Sequence, residues 1–266
     1  MHVPNLSRQS FLGPRFDEAR TTAVIGILGV GGGGSHVGQQ LAHLGFENFE
    51  LIDPQSIEDT NLNRLVGGTL LDVQMIMPKV MIAERLIRSI HPDANVHRHQ
   101  ASWHQSLEVL KGCDIVFGCL DSFVQRDLLE SFCRRYRILL IDMGMTVRDI
   151  EGDFRISGQV IASIPGRPCM RCMGFINDEV LKREAEDYGA TGPAPQVVWA
   201  NGTLASTAVG LLLAGLANWN KAGLAPMYLE YDGNSHSVNP SNLAKALTHH
   251  RCTHYPEDQV GDVDFG

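Results

Sequence analysis

Gly29, Gly31, Gly32 and Gly34 fall within six residues of the glycine-rich stretch VIGILGVGGGGSHVG. Glycine lets a backbone turn tightly and approach a phosphate with no Cβ in the way. Asp53 follows 24 residues after Gly29, where a carboxylate can accept hydrogen bonds from a ribose. A second acid, Asp121, closes the apolar stretch CDIVFGCLD. Two acids beside phosphates repel them unless a cation intervenes. One acid on the ribose and the other on Mg2+ resolves the conflict. That arrangement favours ATP over a nicotinamide dinucleotide, which needs no metal. Basic groups that could meet phosphates are Arg64, Lys79 and, upstream, Arg8, and Asn61 adds an amide. Each alone also reads as a solvated surface charge or, for Asn61, a turn residue. The glycine run alone could serve only close helix–sheet packing.

The elements that must position these groups follow in order. Thr22 to Leu28 is β-rich and apolar and reads as a buried strand. Ser35 to Leu44 reads as a helix whose free N-terminal amides face anionic oxygens. Phe49 to Ile52 is a second strand, ended by Asp53. Cys113 to Asp121 and Ile138 to Met145 are two more, with the helical pattern SFVQRDLLESFCRRY between them. Lys79 opens another helical pattern. In such sheets ligands sit beyond the carboxyl ends of the strands, so Asp53 and Asp121 are expected in one crevice.

Composition narrows the class. The 266 residues are 44% hydrophobic, enough for a large core, and carry a net charge of -8. A sequence-wide basic footprint for nucleic acid is absent. The longest very apolar run, Ala208 to Ala217, is about half a membrane span. His2, Pro4, Asn5, Arg8 and Gln9 interrupt any apolar leader core. Six cysteines are too few for a disulfide scaffold. The expectation is a cytoplasmic protein with reduced thiols and neither nucleic acid nor membrane as a partner. Glu184 to Gln196, acidic and then Gly/Pro-rich, reads as an exposed loop between ordered parts.

The stretches SRQSFLGP, GVGGGGSHV, LIDPQSIEDTNLNR, DVQMIMPKV, GCLDSF and PCMRC resemble one superfamily. It holds the ThiF/MoeB adenylyltransferases, HesA-like proteins and the adenylation domains of ubiquitin-activating enzymes. The resemblance runs from Arg8 to Cys172 and more weakly to about Leu216. It implies an α/β fold, a Rossmann-like ATP-binding sheet with helices on both faces, extended by further strands and usually paired as a homodimer. It implies an N-terminal arm over 1–20 and an adenylation domain over 21–248. The nucleotide-binding half of that domain ends near 150, the partner-binding half follows, and a tail spans 249–266. Such proteins adenylate the C-terminal glycine of a small ubiquitin-like or sulfur-carrier protein.

By the same resemblance Gly29, Gly31, Gly32, Gly34 and Asp53 hold ATP, and Asn61, Arg64 and Lys79 contact its phosphates. Asp121 holds Mg2+, and Arg8 serves the opposite subunit's site. Leu65 stands where the family often has glutamine. Residues near Glu151 to Pro168 are expected to form a crossing-over loop along the acceptor's path. Relatives often carry a thioester cysteine beyond the CxxC pair, but FINDEVLKREAEDYGATGP has none. Cys113 and Cys119 belong to or adjoin a core strand, and Cys133 lies on the helix. The expected product is therefore an acyl-adenylate, passed to a downstream conjugating or sulfur-transfer enzyme or another nucleophile.

The family completes a structural zinc site with a second CxxC. Here Cys169 and Cys172 form one CxxC, and the tail offers Cys252 and His254, with His249 and His250 as alternative nitrogen ligands. A redox CxxC and an unligated pair compete with zinc. An NAD-dependent dehydrogenase and a catalytically silent binding homologue remain the alternatives to ATP-dependent adenylation.

Overall fold

The computed structural model describes residues 6–187, 195–217, 227–247, 250–255 and 260–262. The chain runs α1 (Pro14–Thr22), β1 (Val24–Leu28), α2 (Gly32–His43), β2 (Asn48–Ile52), α3 (Leu70–Gln74) and α4 (Lys79–Ile90). Next come β3 (Asn95–His99), α5 (Leu107–Lys111), β4 (Ile115–Gly118), α6 (Phe123–Arg135), β5 (Leu139–Ile150) and β6 (Asp153–Ser163). Last are α7 (Asp178–Asp187), α8 (Val198–Leu216), β7 (Tyr228–Asp232), β8 (Ser237–Pro240) and α9 (Asn242–Ala246).

The strands form one sheet in the order β3-β2-β1-β4-β5-β6-β7-β8. The first five are parallel, and β6, β7 and β8 add on antiparallel. Side chains alternate between two cores, as the two-residue period of a strand requires. Ile115, Phe117, Ile141 and Val160 face one core, with Val37, Leu41 and Leu204 from α2 and α8. Val116, Leu140 and Ile161 face the other, with Leu110 and Leu129 from α5 and α6. The α/β fold with helices on both faces, extended by further strands, is thus present.

Several boundaries differ from those read in the sequence. Thr22 ends α1 rather than opening β1, because the Thr21 and Thr22 hydroxyls both donate to the Glu18 carbonyl and the Ala23 N–H closes on Ala19. The helix after the glycine turn starts at Gly32 rather than Ser35. Strand β4 is shorter than Cys113 to Asp121, since Cys113 N–H closes the α5 turn on Leu110. The stretch from Glu151 to Pro168 is mostly a strand, not a crossing-over loop. Glu151 and Gly152, both at positive φ, make a two-residue turn that sends β5 back as β6. Of the loop read from Glu184 to Gln196, Glu184 to Asp187 close α7, and 188–194 lie outside the described residues.

By length and composition α8 could cross a membrane, but half of it is buried. It packs against α2, β5 and β6.

Candidate active site

The parallel strands reverse their order between β1 and β4, and a cleft of about 420 Å³ opens beyond their carboxyl ends. Gly29 follows β1 with φ 81°, the left-handed region, and a Cβ there would meet the Cys119 carbonyl oxygen at 2.6 Å. Only glycine fits both constraints. The turn then feeds directly into α2, so the first amides of that helix border the cleft with Gly31, Gly32 and Gly33. Gly34 does not line it. A Cβ on Gly34 would run into the Gly29 carbonyl, so this glycine, read as cofactor-binding in the sequence, lets helix and turn pack.

Asp53 stands at the end of β2, 4% exposed. Its two carboxylate oxygens accept the Val30 N–H at 2.9 Å and the Gln55 N–H at 2.8 Å. Those bonds tie the acid to the residue beside Gly29. Burial pushes the Asp53 carboxyl above its ordinary value, against the backbone bonds and the Lys79 charge, while Asp121 reinforces the rise. The charges of Lys79 and Asp121 thus both reach Asp53.

Lys79 is the first residue of α4, 7% exposed, and its Nζ donates to Gln55 Oε1 at 2.6 Å. Asn61 is buried, and its side-chain oxygen accepts the Glu58 N–H at 3.1 Å, which leaves the amide's donor end for the cleft. Arg64 lines the cleft with one nitrogen on the Thr60 carbonyl at 2.7 Å and Asn63 Oδ1 at 3.0 Å. Leu65 is buried with Ile57 and Ile82, filling a small core under that loop. Asp121 is exposed on the cleft wall.

The cleft thus brings together Gly29, Gly31, Gly32, Asp53, Asn61, Arg64, Lys79 and Asp121. Arg8 is exposed in a 3-10 turn, Ser7–Leu12, and does not line its own chain's cleft. Sequence reading missed Gln55, Arg126, Gln159 and Asn201, which also line it. Arg126 lies on the pattern of a helix and Gln159 on that of a strand, so neither announces a site. Magnesium binds through one or two carboxylates together with substrate phosphates. Asp121, an exposed carboxylate that has no side-chain hydrogen-bond partner among the described residues and shares the cleft with Arg64 and Lys79, suits that role.

A second cluster forms at the far end of α6. Cys169, Cys172, Cys252 and His254 offer ligand atoms all within 4.8 Å of one another. Cys169 Sγ is 3.6 Å from Cys172 Sγ, and His254 Nδ1 is 3.4 and 3.3 Å from those two sulfurs. A zinc ion about 2.3 Å from each sulfur spaces tetrahedral ligands about 3.8 Å apart, so the donor set fits. Helix α6 braces the knuckle. Glu130 accepts the Met170 N–H at 3.0 Å, Arg134 donates to the Pro168 carbonyl at 2.9 Å, and Asp127 takes Arg171 at 2.7 Å. Of the alternative nitrogen ligands, His250 lies outside the cluster and His249 outside the described residues.

Of the other thiols, Cys113 and Cys133 are buried, and Cys119 lines the cleft half-buried. Burial pushes Cys113 and Cys119 up to about 12 and raises Cys133 further.

Comparison with known proteins gives the same direction. The profile of the ThiF family matches residues 5–254. The SAMP-activating enzyme E1 of Haloferax volcanii is 29% identical over 164 residues, 61% of this chain and 57% of that protein. Ubiquitin-like modifier-activating enzyme 5 of Rattus norvegicus is 28% identical over 190 residues, 64% of this chain and 45% of that one. The chain therefore spans about half the length of these curated relatives. E. coli MccB, solved with AMPCPP and MccA, shares the fold with a TM-score of 0.70 and 20% identity, over 86% of this chain and 66% of that chain.

Proposed function

The chain belongs to the ThiF family, and on that premise we propose that it is an ATP-dependent adenylyltransferase. Its acceptor is the C-terminal carboxylate of a small protein or peptide. The observation that carries this reading is the meeting of Asp53, Arg64, Lys79 and Asp121 beside the glycine turn at the sheet's switch point. A nicotinamide site would use the glycines and Asp53 and leave the other three without a shared purpose.

The chemistry assigns each group a task. Asp53 accepts the ribose hydroxyls with the lone pairs its two backbone bonds leave. The acceptor carboxylate oxygen attacks the α-phosphorus, and the bond to pyrophosphate breaks. Charge gathers on the non-bridging oxygens, where Arg64, Lys79 and the Asn61 amide stabilise it most in the transition state. Magnesium, held by Asp121, supplies further neutralisation of phosphate charge when bound. No general base is needed, since the attacking carboxylate is already ionised at neutral pH.

The acceptor is a ubiquitin-like or sulfur-carrier protein ending in glycine. The activating functions named for the Haloferax and rat relatives support this choice. The raised thiols of Cys113, Cys119 and Cys133 support transfer of the acyl-adenylate to a separate enzyme or nucleophile rather than to a cysteine of this chain. Cys169, Cys172, Cys252 and His254 hold a structural zinc, and Arg8 completes the site of a second copy.

The test is ATP–pyrophosphate exchange dependent on a ubiquitin-like protein with a C-terminal glycine. Asp121→Ala should lower the exchange rate by a factor equivalent to about 3 kcal/mol of transition-state stabilisation. Unchanged exchange in that variant would remove the mechanism.

A further inference from the structure

Asp121 is exposed in the turn between β4 and α6 and, among the described residues, forms no hydrogen bond or ion pair of its own. Its place over the cleft is therefore set by the backbone on either side. Both flanks are held by side chains from elsewhere in the fold.

On the N-terminal flank, Arg126 donates twice to the Leu120 carbonyl, from Nε at 3.0 Å and NH2 at 2.5 Å. Its NH1 donates to Asp142 Oδ1 at 2.9 Å, and both side chains are buried. The Gln159 amide, turned so that both ends are satisfied, accepts from the same guanidinium and donates to the Gly144 carbonyl at 3.1 Å. Gly144 leaves room for this, since a Cβ there would overlap the guanidinium. On the C-terminal flank, Glu184 reaches over from α7. Its two oxygens accept the Phe123 and Val124 N–H groups at 2.9 Å each. These are free donors of the first turn of α6, a place where a carboxylate is stabilised.

We propose that Arg126 and Glu184 are positioning residues that clamp the β4–α6 turn so that Asp121 presents its carboxylate to the divalent cation of the bound nucleotide. The inference rests on the reading of Asp121 as the magnesium-holding acid. A buried ion pair adds little net stability over a well-packed apolar pair. What Arg126 and Asp142 supply that an apolar pair cannot is a fixed carbonyl one residue before Asp121. Magnesium demands near-ideal octahedral geometry, so a displaced carboxylate is a poor ligand. Groups that orient a ligand without touching the metal change metal affinity about 10- to 100-fold.

The experiment is calorimetric titration of AMPCPP into the full chain, in EDTA and in Mg2+, which needs no acceptor. The variants are Asp121→Asn, Glu184→Ala, and Arg126→Met with Asp142→Leu, the last leaving no uncompensated buried charge. Thermal melts confirm folding, and the half-exposed Glu184 keeps the test available if the buried pair does not tolerate replacement. In Glu184→Ala, whose side chain lies outside the cleft, the metal-free affinity should match wild type, and in both clamp variants the tightening produced by Mg2+ falls about tenfold or more. Full retention of the Mg2+ effect overturns the proposal. So does an equal weakening with and without metal, which marks a general structural role. If Asp121→Asn retains the full effect, or wild type shows none, the reading of Asp121 itself fails. Loss in Asp121→Asn with retention in Glu184→Ala removes only the clamp.

Discussion

At the scale of single residues, the metal cluster shows how little sequence proximity a site needs. Cys169 and Cys172 announce themselves by spacing, while Cys252 and His254 lie in a tail with few apolar anchors. Burial first, then the Glu130 charge and the neighbouring Cys252, push the Cys169 thiol upward. Zinc would supply the opposing charge and tie the tail to the knuckle, since binding energy at such a site is folding energy. Purified protein should carry one zinc per chain by elemental analysis, and Cys252→Ser should lose it and melt at a lower temperature. His254→Ala should bind zinc more weakly in competition with a chelator. Full zinc retention in that variant would hand the fourth place to another residue.

Among the elements, α4 carries the cleft lysine, and its seating depends on the short helix before it. Thr69 and Asp72 form a reciprocal cap on α3, with the Thr69 N–H on Asp72 Oδ2 at 2.9 Å and the Asp72 N–H on Thr69 Oγ1 at 3.2 Å. Arg85 of α4 then takes both Asp72 oxygens, at 2.7 and 2.6 Å. The Arg85 bonds hold the Asp72 carboxyl at about 2, below its ordinary 3.8. A depressed carboxyl stabilises the fold above its unfolded value and loses that contribution as pH falls through the folded one. Asp72→Asn should therefore cost about 1–2 kcal/mol at neutral pH, discounted because Arg85 is half exposed. The difference should shrink as pH falls from about 4 toward 2. Guanidinium unfolding at pH 7 and near pH 2 measures it, and an equal difference at both would assign the effect to packing.

For the molecule as a whole, the cleft contains Asp53, Arg64, Lys79 and Asp121 from one chain, while Arg8 is exposed outside it. If Arg8 serves a second copy, the sites of a two-fold dimer are composite. Mixing inactive Arg8→Ala with inactive Asp121→Ala chains should restore part of the exchange activity, because a hybrid dimer contains one unaltered site. No recovery, with subunit exchange demonstrated separately, would count against the crossed site.

The crevice beyond the parallel strands was legible in the residues alone. Glycine's freedom at Gly29, the acid after β2, and apolar strands followed by charged ends are local signals, legible because each acts within a few residues. The strands' existence followed from the same patterns, and their ends did not, since hydrogen bonds such as those of Thr21 and Thr22 to Glu18 compete with strand propensity. Gly34 also serves packing, and only the assembled turn shows it, with the Gly29 carbonyl where a Cβ would stand. Tertiary structure alone decided the rest. It brought His254 to Cys169 across 85 positions. It made a strand of the stretch expected to be a loop, through a two-residue turn that weak local signals did not mark. It set Arg126 under Leu120 and Glu184 on the first turn of α6. Contacts between residues far apart in the chain leave no period or spacing to read, only two side chains that the fold happens to join.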